Sequence, residues 1–187
     1  ITKQQAGLLI TIFTLPGILF TPILGVLADR FGRKTILFPS LLVFGLSGFA
    51  CGFVRDFDTL LILRFIQGSG AASLGSLNST LIGDLYPGKQ LNSAMGYNSG
   101  VLSIGTASYP AIGGFLASFG WHYPFFLPIL AVPTGFLVLF VLKNPEPENR
   151  QTLKEYLKNA LKIFHDKQVF AIFLTVLITF ILIYGTA

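Results

Sequence analysis

A single cysteine, two histidines and eight acidic residues among 187 positions leave this chain poor in the groups that do chemistry. One cysteine, Cys51, excludes an internal disulfide framework. It stands in an apolar run and reads as a small packed residue. His122 and His165 lie far apart, with no metal-ligand spacing around them. No glycine-rich phosphate loop and no nucleophile–base pair stands out, so no catalytic residue, metal or cofactor is expected and the chain does not read as an enzyme. Charge is scarce too: 11% of the residues are charged, where a soluble domain has about a quarter. The net charge of +5 is therefore a matter of loops, not of nucleic-acid binding.

What the chain has in plenty is apolar length. Hydrophobic residues make up 52% of it, with 19 Phe and 6 Tyr. They fall into runs at 5–28, 35–54, 60–83, 91–119, 123–142 and 169–187. At about 1.5 Å per residue, such runs reach across a bilayer core of roughly 30 Å. Backbone groups in lipid must bond within their own segment, and two-residue alternation is missing, so the runs predict helices and not strands. The fold class is an all-α polytopic membrane protein with about six transmembrane helices and one surface helix. Three domains are expected: a transmembrane bundle at 1–142, a linker at 143–168, and the start of a second bundle at 169–187. The Asn78-Ser79-Thr80 glycosylation pattern falls within a membrane run and is discounted.

Loop charge sets the topology. Arg30, Arg33, Lys34, Lys89, Lys143, Arg150, Lys154, Lys158, Lys162 and Lys167 all belong to one side; they are ten of the thirteen basic residues. That side is expected to be cytoplasmic. Lys3 and Arg55 fall opposite, and Trp121, His122 and Tyr123 mark an outer turn at headgroup level. In the linker, Leu153, Tyr156, Leu157, Ala160, Leu161 and Phe164 follow helical spacing beside a stripe of Lys154, Lys158 and Lys162. Thr152 and Glu155 have capping-box spacing at its start. This segment predicts an amphipathic helix on the cytoplasmic membrane surface, with a plain positive-inside linker as the alternative.

Arg64 is the one charged side chain embedded in a run. A charge there costs on the order of a few kcal/mol or more and usually faces a cavity. Either it lines a central path, with Gln67 one turn on, or it snorkels and bonds to carbonyls. The visible acids stand at helix ends (Asp29, Asp56, Asp58, Asp84) or in the long connection (Glu146, Glu148, Glu155, Asp166).

Three motifs, in order, carry a resemblance. Gly25-x-Leu27-Ala28-Asp29-Arg30-x-Gly32-Arg33-Lys34 resembles the signature loop between helices 2 and 3 of the major facilitator superfamily. Arg64-Phe65-Ile66-Gln67-Gly68-Ser69-Gly70-Ala71-Ala72 resembles its helix 4 pattern. Gly96, Gly105, Tyr109-Pro110 and Gly113-Gly114 resemble the helix 5 motif of its drug/proton antiporter branch, apart from Tyr109, where that motif usually has Gly. The whole chain then corresponds to helices 2 to 7, the N-terminal half without its first helix. Both ends read as cut.

The resemblance implies a secondary transporter of small molecules that rocks between inward and outward access in a bacterial inner (plasma) membrane, acting as a monomer when full length. The third motif implies multidrug efflux by an antiporter, driven by a proton gradient. A metabolite or sugar symporter or facilitator is the alternative, and a non-transporting scaffold or inactive fragment is the alternative from another class. Gly25, Asp29, Arg30, Gly32, Arg33 and Asp84 are expected to form a conformational switch, with Gly25 admitting a close neighbour, Gly32 allowing a tight reversal and Arg33 pairing with Asp84. Arg64 and Gln67 are expected at the central cavity or proton relay. Gly96, Gly105, Pro110, Gly113 and Gly114 are expected to pack closely and seal a leak path, or to serve ordinary helix packing.

Overall fold

The computed structural model describes residues 3–142 and the helical positions 169, 171, 174, 175, 178 and 179. The chain separates into two compact units, 1–149 and 150–187. The expected surface helix at 153–164 lies outside the described residues, as does most of 169–187.

The first unit is helical throughout: α1 (Lys3–Phe31), α2 (Arg33–Cys51), α3 (Phe57–Ala71), α4 (Leu74–Leu85), α5 (Gly88–Phe119), a 3-10 segment (Tyr123–Leu130) and α6 (Ala131–Val141). These make five spans long and apolar enough to cross a membrane. Among the described residues there is no strand.

Two runs expected as single helices are broken. The span Phe57–Leu85 is divided at Ala72 and Ser73 into α3 and α4. Gly68 and Gly70 weaken the helix before the break. Side chains from two other helices then take up the groups the break exposes. Thr21 Oγ1 on α1 donates to the Ala72 carbonyl at 2.6 Å, and Ser73 Oγ bonds to Ser40 Oγ on α2 at 2.9 Å. The run at 123–142 likewise opens as a 3-10 segment before becoming α6. Pro124 suits a first turn, but Pro128 four residues on has no N–H to give its carbonyl.

α2 is the central rod, against α1, α3, α4, the 3-10 segment and α6. In lipid, removal from water does not drive helices together; close packing and hydrogen bonds between them do. Glycines provide the closeness. A Cβ on Gly68 would collide with the Phe13 carbonyl of α1, and one on Gly70 would stand 2.6 Å from the Phe44 nitrogen and 2.8 Å from the Ser40 oxygen of α2. On α2, Gly45 and Gly48, with Gly52 just past its end, turn a flat face to Val132, Pro128 and Phe126. Two small cores result: Ala28, Leu37, Leu77 and Leu81 at the basic end, and Leu9, Cys51 and Leu60 toward the other.

Candidate functional site

At the basic end, α1 stops at Phe31 and α2 starts at Arg33, leaving Gly32 alone to turn the chain. Its φ of 92° lies in the region where a Cβ is strained. So sharp a turn sets Arg33 at the N-terminus of α2 beside Asp29, one turn from the end of α1. Arg33 Nη2 lies 3.5 Å from Asp29 Oδ1. Arg33 Nη1 forms an ion pair with Asp84, near the end of α4, as a charge contact without an aligned hydrogen bond.

All three charges oppose the helices that carry them. A helix N-terminus disfavours a cation and a C-terminus disfavours an anion, each by about 0.3–1 kcal/mol. Arg33 and the two aspartates relieve one another only while α1, α2 and α4 hold this arrangement. The Arg33 side chain is 18% exposed, against 49% for Asp29 and 32% for Asp84. Solvent screens such a pair, so the contact is worth about 1 kcal/mol and can be exchanged for another.

Two expected members of the switch stand apart. Arg30 is exposed and lies over the Phe31 ring at 5.4 Å. Gly25, expected to admit a close neighbour, has no atom within 4 Å of where its Cβ would be. It faces a side of α1 that no described helix covers. Lys34, beside Arg33, reaches the other way. Its Nζ donates to the Leu142 carbonyl at 2.8 Å, at the end of α6, where the helix dipole favours a cation. Adjacent side chains thus tie one turn to two other helix ends.

Toward the opposite end, α3 starts at Asp56, whose carboxylate accepts from the Thr59 backbone N–H at 2.9 Å and the Thr59 hydroxyl at 2.8 Å. Those bonds, the backbone one foremost, hold the carboxyl below the usual Asp range. Two turns further in is Arg64. Its Nη1 donates to Gln67 Oε1 at 3.0 Å, and its guanidinium lies 4.7 Å from the Phe125 ring and 5.6 Å from the Phe13 ring. Gln67 is 2% exposed. Its amide fits against α2 at Gly48, where a side chain would collide with it.

α5 differs in kind. None of its residues is buried, and among the described elements it touches α4 and the 3-10 segment alone. Nothing lies within 4 Å of a Cβ placed at Gly96, Gly113 or Gly114, and Gly105 meets its own helix's Tyr109 at 3.5 Å. Pro110 is exposed within the helix. Close packing at these residues therefore has no partner among the described residues. One polar tie joins α5 to the bundle: Asn78 Nδ2 of α4 donates to Asn98 Oδ1 at 2.7 Å.

The family model of the Major Facilitator Superfamily matches residues 1–187. The chain belongs to the Major Facilitator Superfamily. It is 33% identical over 196 residues to the bacillibactin exporter of Bacillus subtilis (strain 168), covering 99% of this chain and 49% of that protein. It is 32% identical over 182 residues to multidrug resistance protein 1 of the same strain, covering 96% and 46%. It is 29% identical over 190 residues to the quinolone resistance protein NorA of Staphylococcus aureus (strain Mu50 / ATCC 700699), covering 99% and 47%. The chain spans about half the length of the curated relatives it matches. Membership makes it part of an integral membrane transporter family, not an enzyme family.

Within this superfamily bundle, the structure brings Asp29, Gly32, Arg33 and Asp84 together, and Arg64 with Gln67. Sequence reasoning did not find Phe13, Phe125, Gly48 or the Lys34 tie. The small residues of α2 and its C-cap carried a signal, since Gly45, Gly48 and Gly52 recur at helical spacing on one face. The phenylalanines carried none, being two among 19.

Proposed function

We propose that the complete protein is a secondary active transporter that exports amphipathic, drug-like compounds across a bacterial plasma membrane in exchange for protons. The observation that carries this reading is the Arg33–Asp84 ion pair between α2 and α4, with Asp29 beside it. A carrier that rocks needs ties at its ends that hold one state and then yield. Three charges set against their own helix dipoles, and mutually relieved, have that character. When another positive group or helix N-terminus nears Asp29 or Asp84, the balance of about 1 kcal/mol shifts. The basic end faces the cytoplasm, following the excess of Lys and Arg.

Arg64 and Gln67 supply a polar centre on the membrane-embedded α3, and the names of the relatives favour export. No cofactor enters; the driving force is the proton gradient. The bilayer and a small-molecule substrate are the partners, and the full-length protein acts as a monomer. The visible acids stand at helix ends or in the long connection and none is embedded in a run, so the proton carrier is a helix-end group or lies outside this chain.

The test is flux by the full-length protein in everted vesicles with an acid-inside gradient and a fluorescent amphipathic cation as probe. Gradient-driven uptake that collapses with an uncoupler supports the reading. Uptake indifferent to the gradient rejects proton coupling, and no uptake of a panel of amphipaths rejects drug export. Arg64→Ala is expected to alter substrate or proton dependence, with Arg64→Lys keeping part of it. A wild-type profile in the alanine variant leaves Arg64 as a structural residue.

A further inference from the structure

Arg64 is held in an unusual way for a cation inside a membrane helix. Among the described residues no carboxylate pairs with it: the ion pairs involve Arg33, and Asp56 is engaged by Thr59. Its Nη1 is bonded to Gln67, while its Nε is buried with no hydrogen-bond partner. Two ring faces approach it from two other elements, Phe13 of α1 at 5.6 Å and Phe125 of the 3-10 segment at 4.7 Å. Both are within the roughly 6 Å over which a ring quadrupole attracts a guanidinium, and the attraction grows as water is excluded.

We infer that Phe125 is a positioning residue for Arg64, its ring face steadying the buried guanidinium where no described carboxylate does so. The distinction matters chemically. A carboxylate neutralises the charge and consumes N–H donors. A ring face steadies the charge without neutralising it and without taking an N–H donor. Phe125 is itself well placed to be steadied. It packs on the core of Leu9, Cys51 and Leu60 and meets Trp121 edge-on at 6.1 Å. Trp121 is 47% exposed at the outer turn. Phe125 thereby links the outer aromatic rim to the one charge embedded in α3. This inference rests on the reading of Arg64 as part of the transport path.

The test uses full-length protein and measures the concentration and pH dependence of gradient-driven uptake of the fluorescent cation. The variants are Phe125→Leu, Phe125→Tyr, Arg64→Ala and Phe125→Leu with Arg64→Ala. Leucine keeps apolar volume and removes the ring; tyrosine keeps the ring. Phe125→Leu is expected to weaken apparent affinity about tenfold and to displace the pH profile, while Phe125→Tyr stays near wild type. Added to Arg64→Ala, Phe125→Leu should change nothing further. Wild-type behaviour of Phe125→Leu while Arg64→Ala is impaired overturns this inference alone. So do two effects that simply multiply. Wild-type behaviour of Arg64→Ala overturns both this inference and the reading beneath it. If Phe125→Leu does not reach the membrane, mono-, di- and trifluorinated phenylalanine at position 125 replace it, since fluorine drains the ring face and nearly keeps its shape. A stepwise decline with fluorine number supports the inference, and a flat series overturns it.

Discussion

α3 and α5 both carry closely spaced glycines, and their surroundings are opposite. On α3, Gly68 and Gly70 are pressed against the backbones of α1 and α2. On α5, Gly96, Gly113 and Gly114 meet nothing within 4 Å. Glycine spacing therefore reports that a helix face is flat, not that it is occupied. α3 is built into the bundle, with a side-chain cap at Asp56, while α5 starts at Pro87 without one and is held by few contacts. One helix organises the unit; the other presents a smooth face.

The largest expected effect breaks or upholds this contrast directly. Gly68→Ala and Gly70→Ala place a methyl against backbone atoms that cannot rotate away, so each should cost at least the upper part of about 1–3 kcal/mol. Thermal melting of the full-length protein in detergent reads this, and an unshifted melt would place α3 further from its neighbours than described. Next is the tie between α2 and α4 at the basic end. Arg33→Ala and Asp84→Asn should each lower stability by about 1 kcal/mol or less and leave membrane insertion intact, as melting and membrane quantification would report. A severe folding defect would make the pair a structural strut. Thr21→Val removes the donor to the Ala72 carbonyl and should cost about 0.6–1.5 kcal/mol. A neutral result would mean that the break between α3 and α4 is satisfied in another way.

Two smaller effects concern how the helices start and what they face. The Asp56 carboxyl is held below its unfolded range by Thr59, so its contribution is present above the unfolded value and is lost as pH falls through the lower, folded one. Asp56→Ala should lower the melting temperature at neutral pH, with the gap from wild type closing in acid; Asp56→Asn should lose less, since Asn also caps. A gap independent of pH would remove the carboxylate from the account. Gly113→Ala and Gly114→Ala should change stability least. Better helix propensity contributes up to about 0.5–1 kcal/mol in their favour, and no described atom opposes the methyl. Losses as large as those at Gly68 and Gly70 would erase the contrast.

Much of this was legible in the residues. Charge-free lengths marked the spans because a bilayer admits little else, and the run from Gly25 to Lys34 marked a tight turn whose Arg33 meets Asp84. Arg64 with Gln67 followed from one turn of helical spacing. What stayed hidden depends on partners distant in sequence. The break at Ala72 and Ser73 needs Thr21 and Ser40, 51 and 33 residues away. Phe125 finds Arg64 because two prolines tighten the backbone into a 3-10 segment, which shifts side-chain directions from those of an α-helix. The open face at Gly25 was not legible either, since a glycine reads alike whether or not a neighbour uses its space.

The central claim is that the tie between Arg33 and Asp84 acts as one reversible unit in a carrier. Its most direct measurement is proton-driven efflux by full-length wild type, Arg33→Ala, Asp84→Asn and the double variant at matched membrane levels. A contact of about 1 kcal/mol biases a two-state equilibrium about fivefold, so each single variant should lose flux by about that factor and the double variant should lose no more than the worse single. Wild-type flux in all three, or single losses that multiply in the double, would contradict it.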